Sequence, residues 1–175
     1  MHPAPSIILF TVLSGFGFGL ISITGLLQFF NQISIFDLIT FSILGIIFST
    51  VGLVSSFFHL ANKKNAIKSM SQWQTSWLSR EAISSIFCLL LVSANIGWVF
   101  LQNMYINEVG IVLFFLALFT IFTTSMIYAQ LKTVPSWNNI FTPAIFIFAA
   151  LSGGAILLTA VSYTHLRAHE TSLHL

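Results

Sequence analysis

The chain has 175 residues, of which 57% are hydrophobic and only 6% charged, and its formal net charge is +2. A soluble domain carries roughly 25% charged residues, so this composition excludes a water-soluble globular protein and defines an integral membrane protein. It has no dense basic face for a nucleic-acid partner, and its one cysteine rules out an internal disulfide or a cysteine-ligated iron–sulfur cluster held within the chain.

The N-terminus, MHPAPS, has no basic n-region. The apolar run behind it is too long for the h-region of a signal peptide, so it reads as a retained first helix. Five continuous apolar stretches follow one another, at about 6–30, 38–59, 82–101, 109–131 and 140–161. Each has close to the ~20 residues needed to cross the hydrocarbon core as a helix. None holds Asp, Glu, Lys or Arg in its interior. Barrel strands would alternate apolar and polar residues over ~10 positions, so the expected fold class is all-α, a polytopic transmembrane helix bundle over residues 1–161.

In the first stretch Gly15 and Gly19 make a GxxxG pair that Gly25 extends, and Gly153-Gly154 stand in the fifth. Small residues at this spacing allow close helix packing; the alternative is room for a flat ligand against the backbone. No strand precedes the glycines, so they are no nucleotide loop.

The connections are short, which makes neighbouring helices antiparallel. Loops one and three are acidic; loops two and four carry the lysines. The positive-inside rule therefore places loops two and four, with the N-terminus, in the cytoplasm. Loop two is the long one. The segment from His59 to Glu81 holds Lys63, Lys64, Lys68 and Arg80, four of the chain's six basic residues. Ile67, Met70, Trp73 (or Gln74) and Trp77 recur at helical spacing with the lysines between them, which predicts a short interfacial helix with tryptophan at headgroup level. Ser79 is the expected N-cap of the third helix, with Glu81 in its first turn.

His59 is the sole histidine in the first four spans. A b-type haem would want two axial histidines on facing helices, so haem is not expected. No His, Cys and carboxylate cluster has metal-ligand spacing. Cys88, Met104 and Met126 read as packing residues. Proton-coupled chemistry remains. His59 titrates near neutral pH, Glu81 opens the next helix on the same membrane face, and Arg80 is either an interfacial anchor or part of the same site. A histidine and a carboxylate at the lip of an apolar, aromatic pocket suit a quinol.

Three blocks resemble a known family: HPAPSIILFTVLSGFGFGL at the start, SSFFHLANKKNAIKSMSQWQTSWLSREAI across loop two, and TVPSWNNIFTPAIFIFAALSGG across loop four. Together they resemble the membrane anchor subunits of dimethyl sulfoxide reductase, the DmsC-like proteins, over about residues 1–161. The resemblance implies a multi-pass protein of the bacterial inner (plasma) membrane. It implies partners, a molybdopterin catalytic subunit and an iron–sulfur electron-transfer subunit. It implies that menaquinol or ubiquinol is bound and oxidised as substrate in anaerobic respiration, with no cofactor bound by the chain itself. His59 matches the family's quinol-site histidine, and Glu81 its acidic position opening the third helix. Such anchors have about eight helices against the five here, so an N-terminal fragment is expected. Family relatives keep the quinol pocket on the periplasmic side, in conflict with the charge count. The polar tail, residues 162–175, lies outside the resemblance and resembles translated sequencing-adapter DNA; it is expected to be non-native, and His165, His169 and His174 are given no role. The rival classes are a small polytopic transporter, which would want intramembrane charges or broken helices, and a non-redox membrane scaffold.

Overall fold

The computed structural model describes residues 5–56 and 72–172, with side chains up to residue 163. His59, Lys63, Lys64, Ile67, Lys68 and Met70 lie outside the described residues. Five α-helices occur among the described residues: α1 (Pro5–Phe29), α2 (Ile35–Ser56), α3 (Trp77–Gln102), α4 (Asn107–Ala129) and α5 (Thr142–Ser172). All five are long and apolar enough to cross a membrane. At 1.5 Å per residue even the shortest exceeds the hydrocarbon thickness of about 30 Å.

The ends follow from local chemistry. Ser34 opens α2, its Oγ accepting the Asp37 amide at 3.1 Å and its hydroxyl donating to the Asp37 carboxylate at 2.7 Å. Asn31 and Asn103 end α1 and α3 in the left-handed region, at φ 57° and 52°, where asparagine is tolerated. α3 starts five residues before the predicted 82, and this corrects the expected cap. Ser76, extended at φ −112° and ψ 122°, is the N-cap and accepts from the Ser79 amide. Ser79 is buried within the helix. Glu81 consequently stands in the second turn rather than the first, and it points into the protein. The extended Ser76 also interrupts the helical spacing read through Trp73 and Trp77: Trp73 lies in a turn closed by the Thr75 and Ser76 amides on the Gln72 carbonyl, whereas Trp77 opens α3. Helical backbone continues beyond 161 to Ser172.

α1 is the central helix, packed against α2, α4 and α5. The core joins Phe18 and Ile21 of α1 to Cys88, Val92, Leu113, Ala117, Ile121 and Ala150 of α3, α4 and α5. Without a hydrophobic force between helices in lipid, close backbone approach has to hold them together. Here glycines supply it on three sides of α1. A Cβ on Gly25 would stand 2.6 Å from the Gly110 carbonyl of α4. Gly19 meets Ala150 of α5, with Gly154 against the Gly19 and Leu20 backbone. Gly17 meets Ser49 and Gly45 of α2. The packing reading therefore holds at Gly19, Gly25 and Gly154. Gly15 differs: a Cβ there would touch only the Ala150 Cβ, at 3.8 Å.

Two side-chain hydrogen-bond clusters stand near opposite ends of the bundle. At the loop-one and loop-three end, Gln28 and Asn95 exchange amide hydrogen bonds of 3.3 and 2.9 Å, and Gln28 also donates to the Ile106 carbonyl at 2.9 Å. The opposite end holds Glu81.

Candidate functional site

Glu81 is 4% exposed. A carboxylate taken out of water needs hydrogen bonds or a cation, and among the described residues a hydroxyl of α4 supplies one. Thr124 of α4 donates its hydroxyl to Glu81 Oε1 at 2.7 Å. Ser84, one turn along α3, donates to the Glu81 carbonyl at 3.1 Å and lies 3.4 Å from the Thr123 hydroxyl. Tyr128 lies one turn beyond Thr124 on α4. The Tyr128 hydroxyl is 3.1 Å from Thr11 Oγ1 of α1. Thr11 Oγ1 is also 2.6 Å from the Ile7 carbonyl, and either hydroxyl of the Thr11–Tyr128 pair can be the donor. The Tyr128 ring is fixed between Trp137 of loop four, edge-on at 5.1 Å, and Phe146 of α5, at 5.2 Å. Loop four is drawn over this end by Asn138, which donates to the Ala129 carbonyl at 2.6 Å and so caps α4.

Two hollows flank this cluster. The inner cavity, about 180 Å³, lies between α1, α4 and α5. Its walls are Phe16, Phe18, Phe146 and Ala150, with Thr11, Ser14, Gly15 and Thr124 among them. Thr124 forms the wall; Glu81 stands behind it. The outer groove, about 460 Å³, runs between α3 and α4, lined by Trp73, Trp77, Arg80, Ser84, Phe87, Phe119 and Phe122. Phe87 and Phe119 are exposed, so the groove opens sideways to lipid.

The predicted site residues fall in different places. Arg80 and Glu81, adjacent in sequence, face different ways: Arg80 borders the outer groove and Glu81 the interior. The Arg80 guanidinium donates to the Trp73 carbonyl at 2.9 Å and the Gln74 carbonyl at 2.8 Å, and sits 4.2 Å over the Trp77 ring. It thereby ties the end of loop two to α3. His59 lies outside the described residues. Thr11, Thr124 and Tyr128 escaped the sequence reading. For Thr124 and Tyr128 the signal was an i, i+4, i+8 row, Thr120, Thr124 and Tyr128, inside an apolar run; Thr11 had none. Among the described residues no group of His, Cys, Asp and Glu could hold a metal ion.

A multi-pass helical membrane protein is thus defined, with one buried carboxyl group beside an aromatic cavity. The chain belongs to the family described as DMSO reductase anchor subunit (DmsC), which it matches over residues 1–175. It is 32% identical over 181 aligned residues to the C subunit of sulfite dehydrogenase from Allochromatium vinosum, covering 93% of this sequence and 56% of that protein. It is 28% identical over 113 residues to the C subunit of the anaerobic dimethyl sulfoxide reductase of Escherichia coli K12, covering 61% of this sequence and 38% of that protein. The chain therefore spans about half, or less, of the length of these relatives. No solved structure matches it.

Proposed function

We propose that the chain is the quinol-oxidising membrane anchor of a molybdopterin oxidoreductase. The observation that carries this reading is Glu81: a buried carboxyl group held by Thr124, which is itself a wall of an aromatic cavity. An apolar cavity of about 150 Å³ takes one benzene ring, so about 180 Å³ suits one quinol ring. The hydroxyls of Thr11, Ser14 and Thr124 would hydrogen-bond its oxygens. The ring reaches the cavity sideways from lipid, and Arg80 holds the end of loop two at the same membrane face. Glu81 and His59 are the proton-handling pair, releasing protons on the loop-two side. Electrons pass to an iron–sulfur partner subunit and on to the molybdopterin-bearing catalytic subunit, which selects the final acceptor; the anchor itself holds no redox cofactor. The localisation that follows is the bacterial inner membrane.

Support comes from the family and from both relatives, whose names are those of subunits of a sulfite dehydrogenase and a dimethyl sulfoxide reductase. The test uses His59→Ala and Glu81→Gln in the assembled complex. Each should lower quinol-dependent turnover by about 10²-fold, the usual effect of a positioned acid or base, and leave turnover with a soluble artificial donor intact. If both variants oxidise quinol at the wild-type rate, the proton-handling site is elsewhere.

A further inference from the structure

Glu81 does not reach the inner cavity; Thr124 stands between them. The Thr124 hydroxyl has one proton and two acceptors in reach, Glu81 Oε1 at 2.7 Å and the Thr120 carbonyl at 3.0 Å. A hydroxyl donates one bond and accepts others, so the state of Glu81 decides which way it points. When Glu81 is ionised, Thr124 donates to it. When Glu81 carries a proton, Glu81 donates to Thr124 Oγ1, and Thr124 turns its own proton to the Thr120 carbonyl.

From this geometry we infer that Thr124 is a positioning residue and the proton relay between Glu81 and a hydroxyl-bearing ring in the cavity. The inference rests on the quinol reading above and adds the route. The quinol O–H bond breaks as Thr124 Oγ1 takes that proton, and the former Thr124 proton forms the O–H bond on Glu81 Oε1. One electron leaves the quinol for the partner's iron–sulfur cluster with each proton. Thr124 then rotates to the Thr120 carbonyl, which turns its proton away from the oxidised ring and opposes return. Once Glu81 has released its proton towards the loop-two end it can accept again, and the second proton follows after the singly oxidised ring turns over to present its other hydroxyl to Thr124.

Steric fit favours this placement. Thr124 is 6% exposed and fixed by α4, so its rotor turns without the backbone moving. Thr11, also in the cavity wall, has the Ile7 carbonyl and the Tyr128 hydroxyl as its partners, neither of them a carboxyl group. Thr124 is therefore the cavity hydroxyl that has an acid behind it.

The test compares Thr124→Val, Thr124→Ser and Gly15→Leu in the assembled complex, with a short-chain quinol as probe and a soluble donor as the control for assembly. Valine keeps the shape and removes the relay. It should lower kcat for quinol by about 10²-fold with KM within about threefold, and serine should recover most of the loss. Gly15→Leu fills the cavity and should abolish quinol turnover. If Thr124→Val keeps kcat while Gly15→Leu abolishes turnover, the relay is refuted and the cavity stands. A rise in KM alone, or no rescue by serine, also refutes the relay. If Gly15→Leu and Glu81→Gln both oxidise quinol normally, the quinol reading falls.

Discussion

Removing the buried amide pair at the far end of the bundle tests how much side-chain hydrogen bonds hold these helices together. Gln28 of α1 and Asn95 of α3 exchange two hydrogen bonds, at 2.9 and 3.3 Å, and Gln28 adds one to the Ile106 carbonyl at 2.9 Å. Hydrogen bonds between helices in a bilayer average about 0.6 kcal/mol, because the unfolded protein finds partners too. The two reciprocal bonds should therefore couple the residues by about 1.2 kcal/mol. Asn95→Leu alone should cost about 1–3 kcal/mol, since it leaves the Gln28 carbonyl oxygen buried without its partner. Gln28→Leu should cost more, because the tie to loop three goes as well. In the double variant neither amide is orphaned, so the total should be smaller than the sum of the singles. Equilibrium unfolding in mixed micelles of increasing denaturing detergent, followed by helical circular dichroism, gives all four corners of the cycle. A coupling below about 0.3 kcal/mol, within ordinary additivity, would show that the pair contributes nothing as a pair.

The glycine contacts predict a contrast within the same bundle. Gly110→Leu should destabilise by about 3 kcal/mol or more, at the upper end for an overpacked contact, because a Cβ there meets the Gly25 carbonyl and stands 2.9 Å from the Phe29 amide nitrogen; Gly97→Leu, with nothing within 4 Å, should be neutral in the same unfolding assay. Orientation has a direct test in Ser71→Cys labelled on intact cells with an impermeant thiol reagent, where buried Cys88 gives little background. Charge counting expects no labelling, and labelling would put loop two on the outer face.

The bundle was legible because lipid imposes a single requirement, long uninterrupted apolar runs, and these showed plainly in composition. Four of the five predicted starts fall within about three residues of the helices, since the loops between those runs are short and polar. The α3 start was misplaced because Trp77 and Leu78 look like part of an interfacial segment, while Ser76 and Ser79 are both good caps; only the backbone angles decide between them. Burial of Glu81 was invisible for the same reason. A first-turn acid faces the headgroups, whereas a second-turn acid on this face of α3 meets α4. Thr124 was hidden by the habit of Thr in apolar helices of bonding its own i−4 carbonyl. Thr120 does this to Leu116, and Thr124 to Thr120. The second acceptor, Glu81, lies 43 positions away in sequence, and no local pattern could supply it.

The contrast between the two polar ends bears on where the chemistry belongs. Gln28 and Asn95 satisfy one another and a loop carbonyl; such a pair is rigid, neutral and complete. The Glu81 end is differently built. Its hydroxyls are not each tied to a single acceptor: Thr124 has a choice of two, and a hollow opens beside it. A cluster built only to pack would have been closed by a residue larger than Gly15, since a Cβ there meets nothing nearer than 3.8 Å. Elsewhere along α1 the glycines are filled to backbone contact by their neighbours. At Gly15 alone among the GxxxG pair the small residue makes space rather than contact, and it lines the same cavity as Thr124, whose hydroxyl meets Glu81. Packing explains the other glycines of α1; Gly15 instead widens the cavity in which the proposed quinol ring would sit.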